Sequence, residues 1–398
     1  MAKKVIGGLF TVVLLLYFVT LILHISANYT NYQWDFRTHR KAAEIAASGK
    51  DPYDPGTLLK HEDASFLYTY PPVTLYFYKL FTLAEYKSAF HIFLVSKCIL
   101  LLGLIYFWQK AFLKQGADPL FYLFCLLAFN SAVYRDLIAG NINLVEQAML
   151  WLAFFFYLKR NLLLFCIFCL MAASFKMTPI FFLILLLLSN AEQKYSYFFG
   201  SAGAFIAYLL LQYILVPQLF SAFIRNALIV VSERGSIAPS TFNLVSDIFQ
   251  WLSKHGDVLV PRTIQFAVVL LIAAAVVFFT FKAYIRLQRI NHPYKDKEMI
   301  SLFLVCLVYA LIHPRFKDYA HMLLLLPAYY IIRNTRFTPA VAFVFFLTVL
   351  VYPPFFLPGI DMIFNFFWKY YPLMLVYTIW GMYLYEIFSL SKNQNARG

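Results

Sequence analysis

Residues 162–188 read LLLFCIFCLMAASFKMTPIFFLILLLL, an apolar run whose only charge is Lys176. A run of this length belongs in hydrocarbon rather than in a water-soluble core. Lys176 and Pro179 divide it, so the pattern predicts two short apolar helices, Leu162 to Phe175 and Met177 to Ser189, joined by a tight turn. Each is shorter than the ~20 residues needed to cross a bilayer alone. A helical hairpin packed inside a larger bundle tolerates that.

The whole chain fits the same solvent. Its 398 residues are 62% apolar and 20% aromatic but only 13% charged, against about 25% charged in an average soluble domain, and the mean hydropathy is +0.70. A water-soluble globular enzyme and a disordered chain are both excluded. About twelve passes are expected, starting near Val5, Ser88, Leu120, Leu144, Leu162, Met177, Tyr197, Thr263, Met299, Ala320, Pro339 and Tyr371, in a single all-α polytopic membrane domain over 1–398. The net charge of +14 is a topology signal rather than a nucleic-acid footprint, because no water-exposed basic domain exists to carry one. Lys3-Lys4, Lys110, Lys114, Lys159-Arg160, Lys194, the Lys282 to Lys297 cluster, Arg333, Arg336 and the tail fall on one side. Both termini are thereby expected in the cytoplasm. No small-residue cleavage site follows His24, so the first apolar segment reads as a retained helix.

This topology puts three long segments on the opposite face: about 26–87, 216–262 and 352–370. The first contains Trp34-Asp35, a carboxylate just beyond the first helix, where partial desolvation strengthens it as a base. Equally, Asp35 could cap a helix over Phe36 to Ser48 that Gly49 and Pro52 end. In the second, Phe242, Val245, Ile248, Phe249 and Leu252 recur at helical spacing behind Ser240, which predicts a helix lying in the membrane interface, as scaffold or as lipid contact. Cys166 and Cys169 have C-x-x-C spacing inside lipid-type sequence and read as small buried hydrophobes rather than metal or redox ligands. Disulfides are not expected from the five cysteines.

An ionisable group close to hydrocarbon costs about 2.5–3.5 kcal/mol on insertion scales unless paired or hydrated. Arg135, Asp136, Glu146, Lys176, His313, Arg315, Lys317, Asp318 and His321 all lie near the outer ends of apolar runs. Lys176 either snorkels to water or marks an anion site. HPRFKDYAH at 313–321 gathers four potentially cationic groups at a helix-breaking proline, a donor set suited to phosphate. Neither a P-loop nor G-x-G-x-x-G occurs.

WDF with KAA and GKDPYDP at 34–55, YPP at 70–72, GNINL at 140–144, FKMTP at 175–179 and HPRFKDY at 313–319 together resemble the GT-C glycosyltransferases that use polyprenyl-phosphate sugars, in particular family 87. The resemblance runs through most of the chain in order, and departs from the family at His39, where Tyr is common, and at His313-Pro314, where Ser-Pro is. It implies a GT-C-like bundle with helical outer loops in a bacterial inner membrane and an active site on the extracytoplasmic side. It also implies Asp35 as catalytic base. Lys176, Arg315, Lys317 and His313 are then expected to converge on the donor phosphate, and His39, Tyr70, Asn141, Asn143, Asp318 and His321 to line the substrates.

The expected partners are a polyprenyl-phosphate sugar donor, a lipid-linked or glycan acceptor and membrane lipids, with no nucleic acid. No cofactor is expected, and divalent metal is unnecessary if cationic side chains hold a monophosphate, although Asp51 and Asp54 could offer a site. The donor tail should enter through a lateral apolar groove and the acceptor through a polar mouth formed by the 26–87 and 216–262 segments. A transporter or flippase shares the expected number of spans, but two similar halves would be looked for, and no convincing repeat is present. A polymerase or ligase of polyprenyl-linked glycans differs mainly in donor size.

Overall fold

The computed structural model describes residues 2–114, 116, 118–229, 237–255, 261–289, 297–335, 338–350 and 362–395. Residues 230–236, 256–260 and 290–296, Arg336, the 352–361 part of the third long segment, the last residues of the tail and the side chains of Lys3 and Lys4 lie outside that description.

Among the described residues every regular element is helical, and each of the twelve apolar stretches forms helix. Among the described residues four helical spans are long and apolar enough to cross a membrane: Tyr86–Leu113, Pro119–Ala139, Lys194–Leu215 and Arg262–Arg289. Lys194–Leu215 and Arg262–Arg289 bury few of their side chains, as hydrocarbon-facing helices do. Other apolar helices, such as Asn143–Leu158, Leu162–Phe175 and Pro339–Val349, are shorter. This is an all-helical membrane protein; a count of twelve crossings goes beyond what these lengths establish.

Local chemistry sets the helix ends. Pro119 and Pro339 occupy first-turn positions where a missing N–H costs nothing. Ahead of them Asp118 accepts from the Leu120 N–H at 3.1 Å and Thr338 from the Val341 N–H at 3.3 Å. Asn161 starts Leu162–Phe175 by accepting from the Leu164 N–H at 3.1 Å, and the Lys176–Pro179 break ends it as expected. The following stretch opens as a 3-10 helix, Thr178–Leu183. Cys169 donates its thiol to the Pro179 carbonyl at 3.3 Å, and all five cysteines are free. Pro119–Ala139, by contrast, is interrupted: Phe129, Asn130 and Ser131 all have left-handed backbones, near φ +55° to +58°. Such a conformation costs roughly 1–2 kcal/mol per non-glycine residue, so tertiary contacts rather than helix propensity fix the chain here.

The chain divides into two compact units. The first comprises 1–123 and 133–231. Its 28–84 segment is a packed layer rather than an open loop. Phe36 stacks on Phe93 with ring centroids 4.4 Å apart and meets Phe81 edge-on at 5.3 Å, contacts each worth about 0.5–1.5 kcal/mol beyond area burial. Arg40 pins the layer by donating to the Phe81 and Ala84 carbonyls at 3.1 and 2.9 Å. Asn226 in the helix Pro217–Ile229 donates to the carbonyls of Tyr53 and Tyr68 at 2.8 and 3.2 Å.

The second unit comprises 124–132 and 232–398. Here Thr241–His255 is the helix expected behind Ser240, whose hydroxyl accepts from the Asn243 N–H at 3.2 Å. Ser240 and Thr241 donate to the carbonyls of Pro314 and Leu311 at 2.6 and 2.7 Å, which ties the helix start to the HPRFKDY corner. Its polar Asn243 and Ser246 are buried while Ile248, Trp251 and Leu252 are exposed. Val245 is buried and Gln250 exposed as well, so the outward side mixes large apolar and polar groups, as a membrane interface allows.

Candidate active site

The helix carrying Asp35 starts two residues earlier than the sequence suggests, over Trp34–Ala47. The capping position belongs to Gln33, in a left-handed conformation at φ 55° with no side-chain cap, so Asp35 is a first-turn residue and not the N-cap. A carboxylate there still gains from the helix N-terminus. Gly49, at φ +77°, follows the end of this helix as its spacing indicated.

Asp35 is only 5% exposed. Its Oδ2 accepts from the Asn141 side-chain amide at 2.5 Å, and the same amide donates to the Tyr70 hydroxyl at 2.9 Å. Asn141 Oδ1 in turn accepts from the Asn143 N–H at 2.9 Å. Because the oxygen is committed to a backbone donor, the NH2 must face Asp35 and Tyr70, so the amide has one sensible orientation. Three separated motifs, Trp34-Asp35, Tyr70-Pro71-Pro72 and Gly140-Asn141-Ile142-Asn143, thus meet at one carboxylate.

The backbone of each motif is locked. Tyr53 donates its hydroxyl to the Tyr70 carbonyl at 2.7 Å. Tyr68 shares a short hydrogen bond with the Thr74 hydroxyl, and Thr74 donates to the Pro71 carbonyl at 2.6 Å. Burial pushes the Tyr53 and Tyr68 hydroxyls well above their ordinary value, which keeps both as neutral donors. His39, one turn beyond Asp35, is fully buried among Phe66, Tyr68, Tyr70 and Tyr78, with Tyr70 the nearest ring at 4.6 Å. Gly140 closes the helix before Asn141 at φ +67°, and a Cβ there would come within 2.7 Å of the Gln33 Cβ. Gly140→Ala should therefore cost about 2–3 kcal/mol through strain and overlap, read as a lowered unfolding temperature together with reduced activity; unchanged stability would contradict this packing.

Lys176 neither points freely into lipid nor simply reaches for water. Its ammonium lies 3.0 Å from Glu146 Oε2, with the lysine side chain 21% exposed and the glutamate 5%. Tyr70 is hydrogen-bonded to the amide that orients Asp35.

Asp51 and Asp54 cap turns: Asp51 accepts from the Tyr53 N–H at 2.9 Å, and Asp54 from the Thr57 hydroxyl at 2.6 Å and the Gly56 N–H at 3.3 Å. The Thr57 hydroxyl holds Asp54 below its ordinary carboxylate value.

The second unit, described by itself, carries the other expected residues in the corner after Lys297–Ile312. His313 Nδ1 accepts from the Arg315 N–H at 3.1 Å. Lys317 lies 5.8 Å from the centre of the Tyr319 ring. Asp318 Oδ1 accepts from the Tyr319 N–H at 2.8 Å, and His321 Nδ1 pairs with the Asp318 carbonyl at 2.9 Å while its ring lies edge-on to Phe316. His321 is buried; His313, Arg315, Lys317 and Asp318 are half-buried.

Two participants went unread in the sequence. Glu146 stood out only as a costly charge, not as the partner of Lys176. Lys97, a lone cation in the apolar run FLVSKCILL, was not singled out although its isolation was the available signal.

No curated protein and no solved structure matches the chain. The sequence model of glycosyltransferase family 87 matches residues 68–314, which include YPP, GNINL, FKMTP and His313-Pro314, while Asp35 precedes the matched range and Arg315 and Lys317 follow it. The match covers more than half of the chain, which therefore belongs to glycosyltransferase family 87.

Proposed function

We propose that this glycosyltransferase moves one sugar, mannose or a related hexose, from a polyprenyl-phosphate donor to a hydroxyl of a lipid-linked or glycan acceptor. It does so on the extracytoplasmic face of a bacterial inner membrane, within a bundle of about twelve passes whose termini face the cytoplasm. The observation that carries the reading is the buried Asp35 carboxylate, oriented by Asn141, together with Lys176 paired to Glu146 in the same unit. Direct displacement at an anomeric carbon needs these two parts. Asp35 takes the proton of the acceptor hydroxyl as its oxygen attacks. The bond from the anomeric carbon to the phosphate oxygen breaks, and Lys176 stabilises the charge left on the departing polyprenyl phosphate. One displacement gives inversion. In this reading Tyr70, Asn143 and His39 line the substrates, with Asn141 setting the base.

Burial of the polyprenyl tail, at roughly 0.8 kcal/mol per methylene, supplies most of the donor affinity, and a monophosphate held by cationic side chains requires no divalent metal. Three expectations test the reading in proteoliposomes. Transfer should proceed from polyprenyl-phosphate mannose but not from GDP-mannose, should survive EDTA, and should show a donor KM that rises steeply as the prenyl chain is shortened. Transfer from the nucleotide sugar, or equal KM for short and long chains, would overturn it.

A further inference from the structure

Lys97 lies in the apolar helix Tyr86–Phe107 and is 2% exposed. Its ammonium is 2.6 Å from the Asp136 carboxylate and donates to two carbonyls, Asp136 at 2.6 Å and Asn141 at 2.8 Å. Those contacts account for the three donors of a lysine ammonium. They also fall on both ends of one turn, Asp136 before Gly140 and Asn141 after it.

The turn needs an external anchor. The helix leading into it is broken by the left-handed residues 129–131, so its final piece cannot be aligned by the helical hydrogen bonds that precede the break. Further along, Gly140 abuts Gln33, whose N–H donates to the Ile138 carbonyl at 2.6 Å. A shift of the 136–141 backbone would therefore move the Asn141 amide relative to Asp35 directly.

We propose that Lys97 is a positioning residue for sugar transfer: by closing the 136–141 turn it holds Asn141 where its amide orients the Asp35 carboxylate. The inference rests on the reading of Asp35 as base. Lys97 itself touches neither substrate, so its removal acts on the rate of the chemical step and not on substrate affinity.

Deleting one charge of a buried pair strands the other, so the test removes both. The full chain is compared with Lys97→Met/Asp136→Asn, and with Lys97→Met/Asp136→Leu should the first pair fold poorly. Polyprenyl-phosphate mannose is the donor, and lipids extracted from cells lacking the protein supply the acceptor. The expected result is a kcat lower by about a hundredfold, the lower end of what a positioned base contributes, with both KM values within about twofold, as for an interaction that matters only in the transition state. In an Asn141→Ala background the same pair should add almost nothing, because the two changes act through one contact. Hydrogen exchange, which needs no substrate, should accelerate in peptides covering 33–37 and 136–143 and stay unchanged in Arg262–Arg289. Wild-type kcat in the double variant while Asp35→Asn is inactive, full additivity with Asn141→Ala, or unchanged exchange at 136–143 would each overturn the inference. Activity in Asp35→Asn would instead remove the reading of Asp35 and leave the exchange result to judge the turn.

Discussion

Asp35→Asn should lower turnover by about 10²–10⁴-fold, the range that a positioned general base contributes, and should leave the fold intact. The amide has the size of the carboxylate and still offers an oxygen to the Asn141 side chain, so the 2.5 Å contact can persist as a neutral hydrogen bond. What folding loses is one negative charge in the first turn of Trp34–Ala47, worth about 0.3–1 kcal/mol. Near-wild-type thermal unfolding with abolished transfer is the expected pair of results. A folded Asp35→Asn protein that transfers sugar normally would remove Asp35 from the chemistry.

The second large effect concerns Lys176. Substituting Lys176→Met alone confuses two roles, because it would leave the buried Glu146 carboxylate without its cation, a change that costs about 3–5 kcal/mol in comparable buried pairs. Lys176→Met/Glu146→Gln separates them. If the pair at 3.0 Å serves only to hold two helices together, removing both charges should restore stability and activity alike. If Lys176 stabilises the charge that gathers on the departing phosphate, stability returns while kcat stays down by about 10²–10³-fold, the scale of losing one such electrostatic donor. The account predicts the second outcome. Recovery of transfer in the double variant would make the pair structural.

The helices were readable because a bilayer imposes a simple code. Apolar runs such as 266–281 have no other solvent, and caps such as Asp118, Asn161 and Thr338, with Pro119 and Pro339 just inside, mark where helices begin. The Lys176–Pro179 break was likewise visible. The interruption at 128–131 was not, since AFNSA contains neither glycine nor proline and its left-handed backbone is set by tertiary contacts. Asp35 stood out by position, but its capping role did not survive: the first turn begins at Trp34 with Gln33 before it. The orientation of its carboxylate depends on Asn141, 106 residues away, and no local pattern encodes that meeting. The helix Thr241–His255 was readable behind Ser240, and its exposed Ile248, Trp251 and Leu252 suit the interfacial placement that its spacing suggested.

These contrasts have one physical origin. Periodicity, caps and apolar length are properties of a short stretch and are written in it. Pairings such as Lys176 with Glu146 and Lys97 with Asp136 arise because two buried charges need each other once the helices pack. From the sequence, each member registers only as an expensive residue.

The most direct measurement is the anomeric configuration of the product. Wild-type protein in proteoliposomes is given polyprenyl-phosphate mannose of defined configuration and extracted lipid acceptors, and the new glycosidic linkage is assigned by NMR. A single displacement driven by Asp35 predicts a linkage of the opposite configuration to the donor. A retained configuration would require a covalent intermediate or a different nucleophile, and would contradict the account.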